Sequence, residues 1–436
     1  MGENKKIGRN VFVEFHVLRS HAPGNMNRDD LGTPKSALFG GVQRLRVSSQ
    51  CVKRTWRTSE YFQGTLGREQ LGLDVLGYRT KRLPSLVREQ LSADVAGEVL
   101  DGLDEVLSRI GRAGAPSKED EKTTAHLLFL TQEEIAAVKE FAKKNRAELS
   151  KLAKLTEESK AAEKSASEGA DGEKKAKKGR AAKKGADGGG AHDELMESIQ
   201  AAFVKHMGES APRNAVDVAL FGRFVTSKEF SSVDAAMQVA HAIGTQKVSL
   251  EYDYFSAVDD LKPAGEDAGA GHIGESEFAQ SVLYQYAVCD WRSLLSNLAG
   301  YGEDAKRIAA ESMRAITLAA TRSVPSGKKN STAPQNPADY VEVVLRRDAP
   351  ISLANAFLKP VYAHDGSDRD VMDESIARLR SQASRYHKAY SKDGDVIGRF
   401  VLSLRDLPGE SAAGEKRFEA LDAMAGAVAA ALGSEG

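Results

Sequence analysis

The sequence predicts an α+β protein, and three observations carry that class. A run of period-two alternation opens at Val11, and apolar residues at three- and four-residue spacings fill about 66–155. A strand near 248–254 runs into a polar, Gly-rich tract and then resumes, the pattern of a projecting hairpin.

From Val11, the residues Val11, Val13, Phe15 and Val17 fall on one face and Phe12, Glu14, His16 and Leu18 on the other, as in a strand. The stretch 21–30 is rich in turn formers, Gly40 and Gly41 mark a tight turn, and 42–47 is a second short strand. Ser48 and Ser49 supply an N-cap for a helix continuing through Trp56. At about 100° per residue, Gln50, Lys53, Arg54 and Arg57 form one stripe, with Val52, Thr55 and Trp56 opposite, so this helix buries one face and offers cations on the other. Helices are expected over 91–110 and 131–155. The stretch 157–192 is built of Ala, Gly, Lys, Glu and Ser, has too little apolar surface to offset ordering entropy, and reads as a disordered insertion. A helix at 194–207 and an Ala-rich helix at 233–243 follow. Val248, Leu250, Tyr252 and Tyr254 then alternate with Ser249, Glu251, Asp253 and Phe255, which starts the hairpin arm around the acidic tract 262–274. Strands at 278–286 and 340–345, helices from 291 and over 305–321, and a turn loop at 324–330 complete the pattern.

The chain has 436 residues, long enough for two domains or for one body with large insertions. Its 41% hydrophobic and 28% charged residues exclude collagen-like and wholly disordered classes. Cys51 and Cys289 lie far apart, so there is no disulfide framework and no CxxC zinc knuckle, and a reducing cytoplasm is the expected compartment. The N-terminus lacks an apolar signal core and no apolar run approaches about 18 residues, so no membrane partner is expected.

Catalytic patterns are mostly negative: neither HExxH nor GxSxG occurs. Asp29 and Asp30 have the chemistry to hold a divalent cation, or to cap their own turn. Ser326-Gly-Lys-Lys329 matches part of a phosphate loop but lacks the upstream Gly and the final Ser or Thr. No cofactor is implied.

Lys and Arg number 61 against 62 Asp and Glu, a net charge of −1 that taken as a sum argues against a nucleic-acid binder. The distribution argues otherwise. Between Leu31 and Ser59 there is no acidic residue, while Lys35, Arg44, Arg46, Lys53, Arg54 and Arg57 are all present and Arg28 stands just before. Such a field suits phosphate contacts that anchor a backbone without reading sequence, and it also suits a solvated face with ion pairs elsewhere. Seven more cations between Lys174 and Lys184 leave the remainder acidic. Phe224, Tyr254 and Phe255 are aromatics that stack on bases in a nucleic-acid binder and fill a core in an ordinary globular protein.

The run Asn27-Arg-Asp-Asp30, Lys35, Phe39-Gly-Gly41, Arg46-Val-Ser-Ser-Gln50 and Lys53-Arg54 resembles the opening signature of the CasC family, the CRISPR RNA-binding backbone subunit of type I-E Cascade. Val216-Asp-Val-Ala-Leu220, Ala240-His-Ala-Ile243, Phe255-Ser-Ala-Val-Asp-Asp-Leu261, Asn336-Pro-Ala-Asp339 and Ser352-Leu-Ala-Asn-Ala-Phe357 continue the resemblance over essentially the full length, with the 157–192 tract as the main departure. It implies an RRM-like (ferredoxin-like) palm split in sequence over 1–60, 236–247 and 275–436, helical fingers over 61–235 and a β-hairpin thumb over 248–274.

By position it implies that Arg28, Lys35, Ser48, Gln50, Lys53, Arg54 and Arg57 face RNA phosphates. Phe224 would lie against guide bases, Tyr254, Phe255, Ser256 and Val258 around a displaced nucleotide, and Gly327, Lys328 and Lys329 in a loop near the RNA. The implied role is a non-enzymatic filament, with copies joined head to tail along a CRISPR guide RNA beside CasA, CasB, CasD and CasE type subunits and target DNA. The alternative is a metal-dependent ribonuclease subunit of a related CRISPR effector that uses Asp29 or Asp30.

Overall fold

A computed structural model of the chain describes residues 10–111, 122–168, 187–210, 213–225, 227–257, 272–363, 368–407, 411–412 and 414–435. They form two compact units, one comprising the described residues of Met1–Asp74, Ala219–Phe221 and Ala235–Gly436, the other those of Val75–Val218 and Gly222–Asp234. Twelve strands are formed by the described residues. They are β1 (Phe12–Gly24), β2 (Ser36–Phe39), β3 (Val42–Val47), β4 (Tyr78–Thr80), β5 (Leu128–Leu130), β6 (Met237–Val239), β7 (Ala242–Gly244), β8 (Leu250–Ala257), β9 (His272–Asp290), β10 (Tyr340–Arg346), β11 (Val396–Ser403) and β12 (Glu415–Phe418).

The first unit is built on a mixed sheet of order β12-β11-β10-β1-β9-β7-β3-β2, with β6 and β8 pairing with β9 off that path. All its pairs are antiparallel except β11 with β12. The neighbouring strands β1 and β10 are largely buried on both faces, which explains why β10 reads from Tyr340 to Leu345 as an apolar run broken only by Glu342. Leu18, Tyr284, Tyr340 and Val401 pack beneath the Val371–Tyr390 helix with Met372, Ile376 and Leu379. β1 continues to Gly24, past the expected loop start at His21, through a register shift between His21 and Gly24 that accommodates Pro23. Gly40 (φ 60°) and Gly41 (φ 81°) join β2 to β3 in a two-residue turn, and a Cβ on Gly40 would meet the Leu358 carbonyl oxygen at 1.8 Å.

The Ala-rich helix expected over 233–243 is not formed. Met237–Val239 and Ala242–Gly244 are instead short strands on β9, since pairing of the first with Ala287, Val288 and Cys289 and of the second with Leu283 and Tyr284 outweighs the weak helical preference of a short Ala and Val run.

The second unit packs helices Leu83–Leu91, Gly97–Ser108, Gln132–Lys144, Arg146–Glu168 and Asp187–Ser210 around Leu103, Val138, Phe141, Leu149 and Phe203, with β4 and β5 as a small ladder. Thr131 caps the Gln132–Lys144 helix in a reciprocal box with Glu134. Order was expected to end near Leu155 and to resume near Glu194. The helices instead run on to Glu168 and begin again at Asp187, because Ala, Glu and Lys favour helix and because His192 is buried beside the Thr156 hydroxyl at 3.2 Å. The seven cations of 174–184 lie outside the described residues.

Candidate nucleic-acid interface

The N-cap forms as the sequence indicated: the Cys51 amide donates to the Ser48 hydroxyl at 3.3 Å, and the helix spans Ser49–Arg57. Val52 and Trp56 are buried, Gln50 and Arg54 are exposed, and Lys53 and Arg57 are partly exposed. Partial burial lowers the pKa of Lys53. Among the described residues no carboxylate stands within ion-pair distance of Arg28, Lys35, Arg46, Lys53 or Arg54, so among those residues these five cations carry no ion pair.

Two loops are stitched to that helix. The Ser48 amide donates to Asn27 Oδ1 at 2.9 Å, the Lys35 amide to the Asn27 carbonyl at 2.8 Å, and the Arg46 amide to the Lys35 carbonyl at 2.8 Å. These bonds bring the exposed Arg28 and the half-buried Lys35 to the start of the helix. From the far end of the sequence, Gly327 lies so close to this loop that a Cβ would sit 2.3 Å from the Met26 carbonyl oxygen. Only glycine fits that approach, and it sets Lys328 (φ 52°) and Lys329, both exposed, beside the 25–35 loop. The Ser49–Arg57 helix, the 25–35 loop and the Gly327 loop therefore adjoin one another in the first unit.

Asp29 has a different use. Its Oδ1 accepts from the Leu31 amide at 3.0 Å and the Thr33 amide at 2.9 Å, while its Oδ2 accepts from the Thr33 hydroxyl at 2.6 Å. The Thr33 hydrogen bonds hold its carboxyl below the ordinary range. Of the two readings, the geometry of Asp29 is that of a residue capping its own turn.

Arg44 leaves the cation set. It is fully buried, and its guanidinium donates to the carbonyls of Phe39 (3.2 Å), Gly244 (3.1 Å), Thr245 (2.5 Å) and Phe357 (2.9 Å). Sequence reasoning also passed over His241 as a side chain: the Ser49 amide donates to its Nδ1 at 2.9 Å. Burial, then Arg46 and Lys35, lower the His241 pKa. The Ala240-His-Ala-Ile243 block contains this histidine, but its contact with Ser49 shows only once β7 is paired with β3.

The arm is a two-stranded hairpin in strict register from Leu250↔Ala279 to Ala257↔His272. Every described residue of β8 is exposed, including Tyr252 at 62% and Tyr254 at 71%. Tyr254 and Ser256 share one face, while Phe255 turns to the other and lies over its register partner Gly274, where a Cβ would come within 2.4 Å of the ring. Val258 lies outside the described residues. Phe224 belongs to the second unit, where Gly222 (φ 77°) ends a short helix and the buried Arg223 pairs with Glu134 at 2.8 Å; Phe224 itself is 88% exposed.

The family model described as CT1975-like protein matches residues 13–426. A chain of a solved CRISPR RNA-guided surveillance complex, pre-nicking, is 28% identical, covers 97% of this chain and 100% of that chain, and superposes with a TM-score of 0.71. A chain of another CRISPR RNA-guided surveillance complex shares the fold at 22% identity and a TM-score of 0.52, over 96% of this chain and 99% of that chain. Comparison with curated proteins gives no match.

Proposed function

Because the chain belongs to the CT1975-like protein family, and because its similar structure at 28% identity comes from a CRISPR RNA-guided surveillance complex, we propose that it is a subunit of a Cascade-like complex. Within it, the chain is the CasC-type backbone subunit of type I-E, binding guide RNA along its phosphates and polymerising head to tail. The first unit then corresponds to an RRM-like palm and the β8–β9 arm to the thumb, with Tyr254 and Ser256 on the thumb face toward a displaced nucleotide. Phe224 is available to guide bases. Its task is organisation rather than cleavage, a reading supported by the engagement of both Asp29 oxygens within their own loop.

The observation that carries this reading is the joining of the Ser49–Arg57 stripe, the 25–35 loop and the Gly327 loop into one cationic face. Contacts of that kind accept any guide sequence, and base pairing with target DNA supplies specificity. Charge reversal tests it. The double substitution Lys53→Glu and Arg54→Glu is expected to weaken RNA binding on the order of 100-fold, equally for unrelated sequences and less severely at high salt. Unchanged assembly on guide RNA in light scattering would overturn the reading.

A further inference from the structure

His241 sits in the two-residue link between β6 and β7. The β3–β7 ladder pairs Val47 with Ala242, which carries His241 to the level of Ser48, the N-cap of the cationic helix. The Ser49 N–H is one of the first-turn donors that no intrahelical carbonyl can accept, and it donates to His241 Nδ1 at 2.9 Å. A backbone amide can only donate, so Nδ1 must present its lone pair. The ring proton is then on Nε2. A doubly protonated ring would lose the Ser49 bond and would face Arg46 and Lys35, which together with burial hold its pKa down.

The side chain is exposed, and its Nε2–H is a donor standing among cations on the face described above. We propose that His241 is a second kind of RNA-contact residue, a neutral donor whose Nε2–H bonds a guide phosphate or ribose oxygen while its Nδ1 fixes the start of the helix that carries Lys53 and Arg54. This rests on the RNA-binding reading. The chemistry differs from that of the lysines: a neutral donor adds a hydrogen bond without displacing a counterion, so its contribution to affinity does not depend on salt.

Two isosteres separate the roles. In His241→Asn the side-chain oxygen reaches the Nδ1 position and keeps the Ser49 acceptor, but nothing reaches the Nε2 position. In His241→Gln the amide nitrogen reaches the Nε2 position and the acceptor is lost. Full-length chain is titrated with labelled oligouridine, followed by fluorescence anisotropy over a salt series, with Lys53→Glu in parallel. The expected result is an affinity loss of about tenfold for Asn at every salt concentration, with an unchanged slope of log K on log salt, and a smaller loss for Gln. If Lys53→Glu weakens binding and His241→Asn does not, or if Gln binds no better than Asn, the His241 contact is overturned and the RNA reading stands. If neither Lys53→Glu nor His241→Asn weakens binding, both fall. In the unsubstituted chain, the His241 Nε2 resonance is expected to shift on adding oligouridine, and an unmoved resonance would overturn the contact irrespective of how the variants fold.

Discussion

Arg44 and Arg54 come from the same acid-free stretch and end in opposite surroundings. Arg44, on β3, has no exposed surface and spends its donors on carbonyls of Phe39, Gly244, Thr245 and Phe357, so it ties the β2–β3 turn to β7 and to the 357–358 segment. Arg54 lies on the open face of the Ser49–Arg57 helix. Arg19 repeats the inward arrangement: buried, it donates to Ala320, Thr321 and Ser323 carbonyls at the end of the Ala305–Arg322 helix, and burial lowers its pKa to about 10. Inward cations act as crosslinks that hold backbone segments in place, and outward ones supply the field. Counting cations cannot separate the two kinds, which is why a net charge of −1 said so little about binding.

The sharpest way to break that comparison is Arg44→Ala. It leaves several buried carbonyls without their donor and opens a cavity, and should cost about 4 kcal/mol of stability, read as a lower urea midpoint. A loss below about 1 kcal/mol would mean that the carbonyl cradle contributes little and that Arg44 is not a crosslink. Any fall in RNA affinity in this variant should disappear once the folded fraction is accounted for.

A somewhat smaller effect belongs to the buried acids that balance inward arginines elsewhere in the first unit. Glu342 on β10 pairs with Arg399 and accepts the Tyr340 hydroxyl at 2.9 Å, while Glu14 pairs with Arg346 at 3.2 Å. Burial pushes the Glu342 carboxyl up, but Arg399, His16 and the Tyr340 hydroxyl together outweigh it, and its pKa falls below the ordinary 4.5. A depressed folded pKa stabilises the protein above the unfolded value, and that contribution is lost as pH falls through the folded value. Glu342→Gln should therefore cost about 3 kcal/mol near neutral pH, with the gap to the unsubstituted chain narrowing as pH is lowered past 4.5. A gap that stays constant in denaturation curves across that range would show that the charge of Glu342 is not what stabilises the sheet.

How much of this was legible depends on the range over which each signal acts. The cationic helix could be read because its N-cap, its buried Val52 and Trp56 and its stripe all lie within one short segment. β10 could be read because a strand covered on both faces needs an apolar run. The strands at 237–239 and 242–244 could not, since an Ala and Val run fits either state and the choice was made by β9, far away in sequence. The inward turn of Arg44 depended on carbonyls from 244, 245 and 357, and the role of Gly327 on the approach of Met26. His241 stands in the Ala240-His-Ala-Ile243 block, but nothing local marked its bond to the Ser49 amide. The members of the face were therefore legible singly, the helix cations from spacing and Gly327, Lys328 and Lys329 from the resemblance, while their meeting came only from the fold.

The smallest expected effect on stability tests the outward side of the comparison. Arg54→Ala removes an exposed guanidinium with no carboxylate in ion-pair distance among the described residues, and it places the best helix former in the second half of a helix. The favourable interaction of a last-turn cation with the helix dipole is lost, so the two contributions nearly cancel and the urea midpoint should move by less than about 0.5 kcal/mol equivalent. Binding should respond differently. If Arg54 neutralises one phosphate of single-stranded RNA, the slope of log K on log salt becomes shallower by about 0.7, and the affinity loss is largest at low salt. A stability loss approaching that of Arg44→Ala would make Arg54 a crosslink too. An affinity loss at unchanged slope would mean that Arg54 contacts something other than phosphate, so slope and midpoint together decide on which side of the comparison this residue stands.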